Sequence, residues 1–278
     1  MRIVGLFAGI GGLELGLSGA GHTTDLMAEI LPAARAVLSS RFPQVELQGD
    51  VRELNALPSG TDLVAAGFPC QDLSQAGQTR GLDGDRSGLV GEVFRLASKS
   101  RPKWILLENV PFMLQLRGGD AMRRIVAALE ELGYLWAWRV VDTYGFGLPH
   151  RRERVFLVAS REDDPSNILL ADDQTLDRPK TRLGKIAHGF YWTEGRGGLG
   201  WAPDAVPTLK NGSTIGIPSP PAVLLPSGSI IKPDIRDAER LQGFAEDWTA
   251  AAETVVRSGF RWGLVGSAVS VPVAKWIG

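Results

Sequence analysis

The sequence predicts an α/β protein, a mostly parallel sheet covered on both faces, with a small loop-rich segment set into its C-terminal half. Three observations carry this. Short continuous apolar runs alternate with helical patterns over the first 160 residues, as expected of strands buried on both faces and joined by crossover helices. Two later runs, "LWAWRVVDT" and "RERVFLVAS", lie close together with no helical pattern between them, which predicts an antiparallel pair at the sheet edge. Beyond Ser160 the periodicity fades, and residues 161–233 are rich in Pro, Gly, Asp and Thr.

Taken in order, "RIVGLFA" reads as a buried strand and "GGLELGLSGA" as a helix with Leu13, Leu17 and Ala20 on one face. "TTDLMAEI" is a second strand, followed by a helix with Pro32 in its first turn. A third strand precedes "GDV", and "TDLVAAGF" and "KWILLENV" are further strands. Between those two lie a glycine-rich loop, Gln71 to Gly84, and a helix across "SGLVGEVFRLASKS". In "HRRERVF", strand alternation puts Arg152 and Arg154 on one face and Arg151 and Glu153 on the other. The loop-rich segment reads as a small domain whose core would be Phe190, Tyr191, Trp192 and Trp201. Helical pattern returns with "IRDAERLQGF", and "SVPVAKWIG" reads as a last helix entered through Pro272. The predicted division is therefore 1–160 plus 235–278, with 161–234 as the inserted domain.

Composition narrows the functional classes. With 44% hydrophobic and 22% charged residues the chain has the make-up of a soluble globular protein. It holds no run of about 18 apolar residues that could cross a membrane, and "MRIVGLFAGIGG" is unlike a signal peptide. A single cysteine excludes an internal disulfide, and three scattered histidines argue against structural zinc. These features predict a cytoplasmic protein without a metal. A net charge of −1 excludes a global basic field. Residues 180–215 nevertheless carry Lys180, Arg182, Lys185, Arg196 and Lys210 against Glu194 and Asp204, which suits either a polyanion contact or a solvated surface.

The chemistry-bearing residues sit where the predicted strands end. In "LFAGIGG", Gly9, Gly11 and Gly12 at a strand-to-helix turn let the backbone approach a ligand closely. Glu29, about 20 residues further on at the end of the second strand, can accept hydrogen bonds from ribose hydroxyls. Asp50 could bind an adenine amine, so the set suggests a nucleoside cofactor, either NAD or S-adenosylmethionine. Cys70 follows "DLVAAGF" at the carboxyl end of its strand, where ligands sit in an open α/β sheet. Pro69 fixes the backbone ahead of it, and a loop bearing Gly77, Gly81, Gly84 and Gly88 follows as a candidate lid. This context favours a nucleophile over a packed thiol. Glu108 ends the next strand, where a carboxylate needs a partner or a ligand. It would stand beside Cys70.

The ordered set "LFAGIGG", "GFPCQ", "ENV", "HRRERVF", "RLQGF" and "VGSAVSVPVA" resembles the DNA (cytosine-5)-methyltransferase family over residues 1–160 and about 235–278. The resemblance implies a Rossmann-like S-adenosylmethionine-dependent methyltransferase sheet with residues 161–234 as the target-recognition domain. It implies that Phe7, Ala8, Gly9, Gly11, Gly12, Glu29, Ile30, Asp50, Val51 and Pro69 line the S-adenosyl-L-methionine site. Leu89, Ser267 and Val269 would complete it. It gives catalysis to Cys70, Glu108, Arg152 and Arg154, acting on a cytosine flipped out of double-stranded DNA. Ser74, Gln75, Thr208 and Lys210 would contact the DNA. A monomer is implied, prokaryotic or phage-encoded, with a companion restriction endonuclease.

Two positions depart from the family's pattern. His150 stands where the family has glutamine, and a histidine can still donate or accept one hydrogen bond. Ser267 stands where the family has asparagine, which predicts weaker cofactor binding with the chemistry intact. Three competing classes are less well supported. An RNA cytosine methyltransferase of the family's tRNA-acting branch would carry a cysteine–phenylalanine–threonine tripeptide, which is absent. A DNA-binding protein with a dead site would not keep the four catalytic residues. A nicotinamide dehydrogenase has only the glycine turn and Glu29 in its favour.

Overall fold

The structure, a computed structural model, describes residues 1–69, 88–171, 182–192, 199–209 and 221–278. Cys70, Ser74, Gln75 and Lys210, with the loop Gln71 to Gly84, lie outside the described residues.

Seven strands form the main sheet: β1 (Arg2–Leu6), β2 (Thr23–Ala28), β3 (Glu46–Gln48), β4 (Leu63–Gly67), β5 (Trp104–Asn109), β6 (Leu135–Asp142) and β8 (Glu153–Ser160). Their order is β3-β2-β1-β4-β5-β8-β6. The first five pair in parallel, while β8 runs antiparallel to both β5 and β6. The edge pair predicted from the missing helix is thus present.

Period-2 alternation explains why β1, β4 and β5 are apolar throughout. Val4, Leu6, Val64, Ala66, Ile105 and Leu107 face one core cluster. There they meet α3 (Val90–Ser100) and α4 (Asp120–Glu131). Ile3, Leu63, Ala65 and Leu106 face the other, formed with α1 (Gly12–Gly19) and α8 (Val271–Ile277). Each sheet face is therefore covered by helices. Helix α2 (Pro32–Arg41) starts at Pro32 as predicted and buries Ala33, Ala34, Val37 and Leu38.

Helix α1 approaches α8 so closely that a Cβ on Gly16 would lie 2.5 Å from the Cβ of Ala274. Leu13 and Leu17 are buried as predicted, and Ala20 is the residue that ends the helix. Past the short α5 (Ser166–Leu169), helix α6 (Ile235–Leu241) begins at a capping box between Asp234 and Asp237. Among the described residues, three helices, α4, the short α5 and α7 (Arg261–Ser267), stand where the sequence predicted no element.

A second sheet has the order β10-β9-β12-β13, from β9 (His188–Trp192), β10 (Leu199–Pro203), β12 (Ala222–Leu224) and β13 (Ile230–Ile231). The aromatic core expected here is only partly formed. Trp201 is 40% exposed, and the fully buried ring beside it is His188, stacked at 4.9 Å. Phe190 is half-buried. Trp201 thus keeps much of its surface in solvent, and the side chain of Trp192 lies outside those described.

"HRRERVF" is not one strand. β7 (His150–Arg151) pairs with β11 (Val206–Pro207) in a separate two-stranded ladder, and the main-sheet strand begins again at Glu153. The break falls on Arg152, whose guanidinium turns inward to the carbonyls of Gly266 and Ala268.

Candidate active site

In strand order the sheet reverses direction between β1 and β4, and the crevice beyond the carboxyl ends of those strands is where an open α/β sheet binds ligands. The chain leaves β1 through Phe7, in the left-handed region at φ 56°. Gly9 and Gly11 follow with φ of 57° and 85°, conformations that glycine adopts without steric cost. A Cβ on Gly9 would meet nothing within 4 Å, so the backbone there borders open space. Gly12 has the opposite reason to be glycine, because a Cβ would lie 2.4 Å from the Val269 carbonyl oxygen. The start of α1 is thereby pressed against the segment after α7.

Glu29, nearly buried at the end of β2, closes this turn. Its carboxylate accepts from the Gly9 N–H at 2.8 Å and from the Leu31 N–H at 2.7 Å. Burial raises its pKa, and the two N–H bonds work against that rise. Each oxygen retains a lone pair for a ligand hydroxyl. Ile30 beside it is 58% exposed, an apolar surface open to a flat ring. Asp50 bonds the Arg52 guanidinium and N–H, and this pairing lowers its pKa. An adenine amine would therefore have to share this carboxylate with Arg52. Val51 is buried, Leu89 is half-buried, and Pro69 and Ser267 are exposed.

The second centre lies one strand over. Glu108, at the end of β5, is in register with Gly67 of β4. A Cβ on Gly67 would lie 3.3 Å from Glu108 Oε2 and 3.9 Å from Val269 Cγ2. Val269 therefore borders both Gly12 and Gly67, so the glycine turn and the end of β4 beside Glu108 meet at one residue. Arg154 Nε sits 3.0 Å from Glu108 Oε1 in a nearly buried ion pair. Burial raises the carboxyl pKa, opposed by Arg154 and then Arg152. Arg152 is fully buried and donates to the carbonyls of Gly266 at 3.0 Å and Ala268 at 2.7 Å. Desolvation, and then repulsion from Arg154, lower its pKa to about 9, which leaves it charged at neutral pH. The arginines do not follow the alternation of a single strand: Arg154 turns to Glu108, Arg152 to the carbonyls of Gly266 and Ala268, and Arg151 to Asp142.

Several positioning residues were not anticipated. Asn109 Nδ2 donates to the Phe68 carbonyl at 2.9 Å in a buried bond, fixing the chain just before Pro69 and Cys70. Asp142 accepts from Arg151 Nε and from the Arg152 N–H. Gln242 donates to the carbonyls of Val265 and Ala268 and accepts from Ser270 Oγ. Trp248 Nε1 donates to the Ile10 carbonyl inside the glycine turn at 2.8 Å. Thr208, which the sequence named as a DNA contact, donates its hydroxyl to the Arg151 carbonyl at 2.7 Å. Its hydroxyl oxygen keeps its acceptor capacity.

The arrangement offers a cradle for a nucleoside beside a buried carboxyl–guanidinium pair, both bordering the exit of β4 that leads to Cys70. Among the described residues no cluster could hold a metal ion, and no helix is long and apolar enough to cross a membrane.

The family model described as C-5 cytosine-specific DNA methylase matches residues 1–212. The chain is similar to Type II methyltransferase M2.BsuMI of Bacillus subtilis, 54% identical over 290 residues, covering 100% of this chain and 74% of that protein. It is also similar to Type II methyltransferase M.DsaV of Dactylococcopsis salina, 32% identical over 171 residues, which spans 61% of this chain and about half, 48%, of that protein. In fold it resembles the Dnmt2 methyltransferase of S. pombe, with a TM-score of 0.71 at 16% identity over 99% of this chain and 96% of that one.

Proposed function

The chain belongs to the family of C-5 cytosine-specific DNA methylases, and from that premise we propose that it transfers a methyl group from S-adenosyl-L-methionine to carbon 5 of a flipped-out cytosine through a covalent adduct with Cys70. That it is a DNA (cytosine-5-)-methyltransferase follows from the family. The base flip, the adduct and the residue roles are the proposal. The observation that carries it is the buried Glu108–Arg154 pair, held in register with the strand that leads directly into Cys70.

The residues present fit the cofactor. The open space at Gly9, the doubly anchored Glu29 carboxylate and the exposed Ile30 would receive the methionine part, the ribose and the adenine respectively. Asp50 and Val51 would border the adenine. Phe7, Ala8, Gly11, Gly12, Pro69, Leu89, Ser267 and Val269 would complete the wall. When bound, S-adenosyl-L-methionine supplies an electrophilic methyl group on a sulfonium.

The protein's own task is to make carbon 5 of the ring nucleophilic. The Cys70 thiolate adds to carbon 6, which moves electron density onto carbon 5. Glu108, its pKa raised by burial, holds a proton at ring nitrogen 3 and accepts from the amino group. Arg154 polarises the ring carbonyl, with Arg152 behind it fixing the lip at Gly266 and Ala268. After carbon 5 is methylated its proton leaves, the bond from carbon 6 to sulfur breaks, and the thiolate is released. A stacked base cannot reach these groups, so it must leave the duplex at a cost of about a few kcal/mol.

In this reading residues 1–160 with 235–278 do the chemistry, and residues 161–234 select the target. Thr208 and Lys210, with Ser74 and Gln75, would contact the DNA. The enzyme would act as a monomer in a bacterial cytoplasm, beside a companion restriction endonuclease. The test is transfer of tritiated methyl groups to duplex DNA and, separately, to RNA. The reading predicts label on carbon 5 of DNA cytosine. Label on RNA alone, or no transfer, would refute it.

A further inference from the structure

Residues 149–152 and 206–209 form a seam. The Val206 N–H donates to the Pro149 carbonyl at 2.8 Å, and Thr208 Oγ1 donates to the Arg151 carbonyl at 2.7 Å. β7 and β11 pair in parallel with Val206 opposite His150. His150 lies in the middle of this seam with no solvent exposure. Its Nδ1 is 3.0 Å from the Leu241 carbonyl oxygen at the end of α6, and the Leu209 N–H points at its Nε2 from 3.2 Å.

These two partners fix the protonation state. An amide N–H can only donate, so Nε2 must accept. A carbonyl can only accept, so Nδ1 must carry the hydrogen. Only the neutral Nδ1–H imidazole satisfies both bonds, and an imidazolium would press a second N–H against that of Leu209. Burial, and then the charge of Arg152, lower the histidine's pKa to about 3, so the ring stays neutral.

The three segments joined at this ring have different roles. One carries Arg152 and Arg154. One is the run from Val206 to Leu209, which leads to Lys210. The third is the end of α6, where Gln242 holds the carbonyls of Val265 and Ala268. Ala268 also accepts from Arg152.

We infer that His150 is a positioning residue, a neutral clasp that couples the target-recognition run 206–209 to the catalytic arginines and to the lip at 265–270. The inference rests on the proposed function. A glutamine amide offers the same pair, one N–H donor and one carbonyl acceptor on a side chain of similar reach. The histidine at this position is therefore an alternative way to build the clasp.

The test uses the full chain. The wild-type target site is first mapped by bisulfite sequencing of DNA from expressing cells. Rates are then measured on a duplex carrying that site and on single-mismatch duplexes. His150→Leu should lower kcat/KM on the mapped site about tenfold to a hundredfold, because it leaves the Leu209 N–H and the Leu241 carbonyl unpaired. It should also reduce the ratio of mapped-site to mismatch rates. His150→Gln should restore both the rate and the ratio, which a loss of general packing would not predict. A leucine variant with the wild-type rate and ratio, or a glutamine variant as impaired as leucine, would overturn the clasp alone. A wild-type protein that methylates no DNA would instead overturn the proposed function, and the clasp with it. If the leucine variant does not fold, nitrogen NMR of the wild-type imidazole decides. The Nδ1–H tautomer should persist unprotonated from about pH 8 to pH 5. An Nε2–H tautomer, or titration within that range, would overturn the inference.

Discussion

Replacing Glu14 with glutamine should remove a specific part of the protein's pH dependence of stability. Glu14 lies in α1 with no solvent exposure, and neither carboxyl oxygen has a hydrogen-bond partner among the described residues. It occupies the room left by Gly5, where a Cβ would fall 2.0 Å from Oε1. Burial, and to a lesser degree the nearby charge of Glu29, raise its pKa from 4.5 to about 7. The sign follows from proton counting. Between these two values the folded protein keeps the proton and the unfolded chain releases it. Stability contributed by the neutral acid is therefore full below pH 4.5 and is lost as pH rises to about 7. At about 1.4 kcal/mol for each pH unit, that interval amounts to about 3 kcal/mol. Urea unfolding of wild type and Glu14→Gln over this range is the assay. Wild type should lose about 3 kcal/mol more than the variant between pH 4.5 and pH 7, with parallel curves above. Comparing slopes cancels the cost of burying the amide itself. Parallel curves throughout would refute the reasoning, since they would mean that Glu14 is ionised in the folded state or reaches water.

Trp248→Phe keeps the packing on Phe42 and Phe244 but leaves the Ile10 carbonyl without its donor. A lost buried bond of about 1–2 kcal/mol should weaken S-adenosyl-L-methionine about fivefold to thirtyfold by calorimetry, with kcat at saturation preserved; an unchanged Kd would show that the turn needs no such support. Glu108→Gln leaves Arg152 and Arg154 facing a neutral amide that cannot take the ring nitrogen's proton chemistry, so the single-turnover methylation rate should fall by about a hundredfold or more. A rate within threefold of wild type would remove Glu108 from the mechanism. Exchanging residues 161–234 for the corresponding segment of a relative should move the methylated sites with the segment. If bisulfite sequencing finds the original sites, sequence reading resides elsewhere in the chain.

What the sequence disclosed, and what it withheld, divides along physical lines. The buried strands were legible because continuous apolar runs such as "RIVGL" are needed where a strand is covered on both faces. Glu29 was legible because it lies at a characteristic spacing from a glycine turn, and Glu108 because a carboxylate at a strand's buried end requires a partner. The support around them was not. Asn109 bonds Phe68, Gln242 bonds Val265 and Ala268, and Trp248 bonds Ile10, in every case through a main-chain carbonyl. Every residue has such a carbonyl, so no residue type marks the partner. For Trp248 that partner lies 238 positions away. The break at Arg152 has the same origin, since two distant carbonyls draw its side chain inward and interrupt what reads locally as a continuous strand. His150 looked like a simple departure from the family's glutamine. Only the positions of Leu209 and Leu241 show what both side chains can satisfy.

The central claim is that Cys70 is the nucleophile that bonds carbon 6 of the target base, and trapping tests it most directly. A duplex with 5-fluorocytosine at the mapped target position cannot complete the reaction, because the fluorine at carbon 5 does not leave as the proton does. Incubation with the full chain and S-adenosyl-L-methionine, followed by digestion and mass spectrometry, should find the methylated fluorinated base on the peptide that contains Cys70. Cys70→Ala should yield no adduct while still retaining the duplex in a binding assay. An adduct on any other side chain, or sustained methylation of ordinary duplex by Cys70→Ala, would contradict the account.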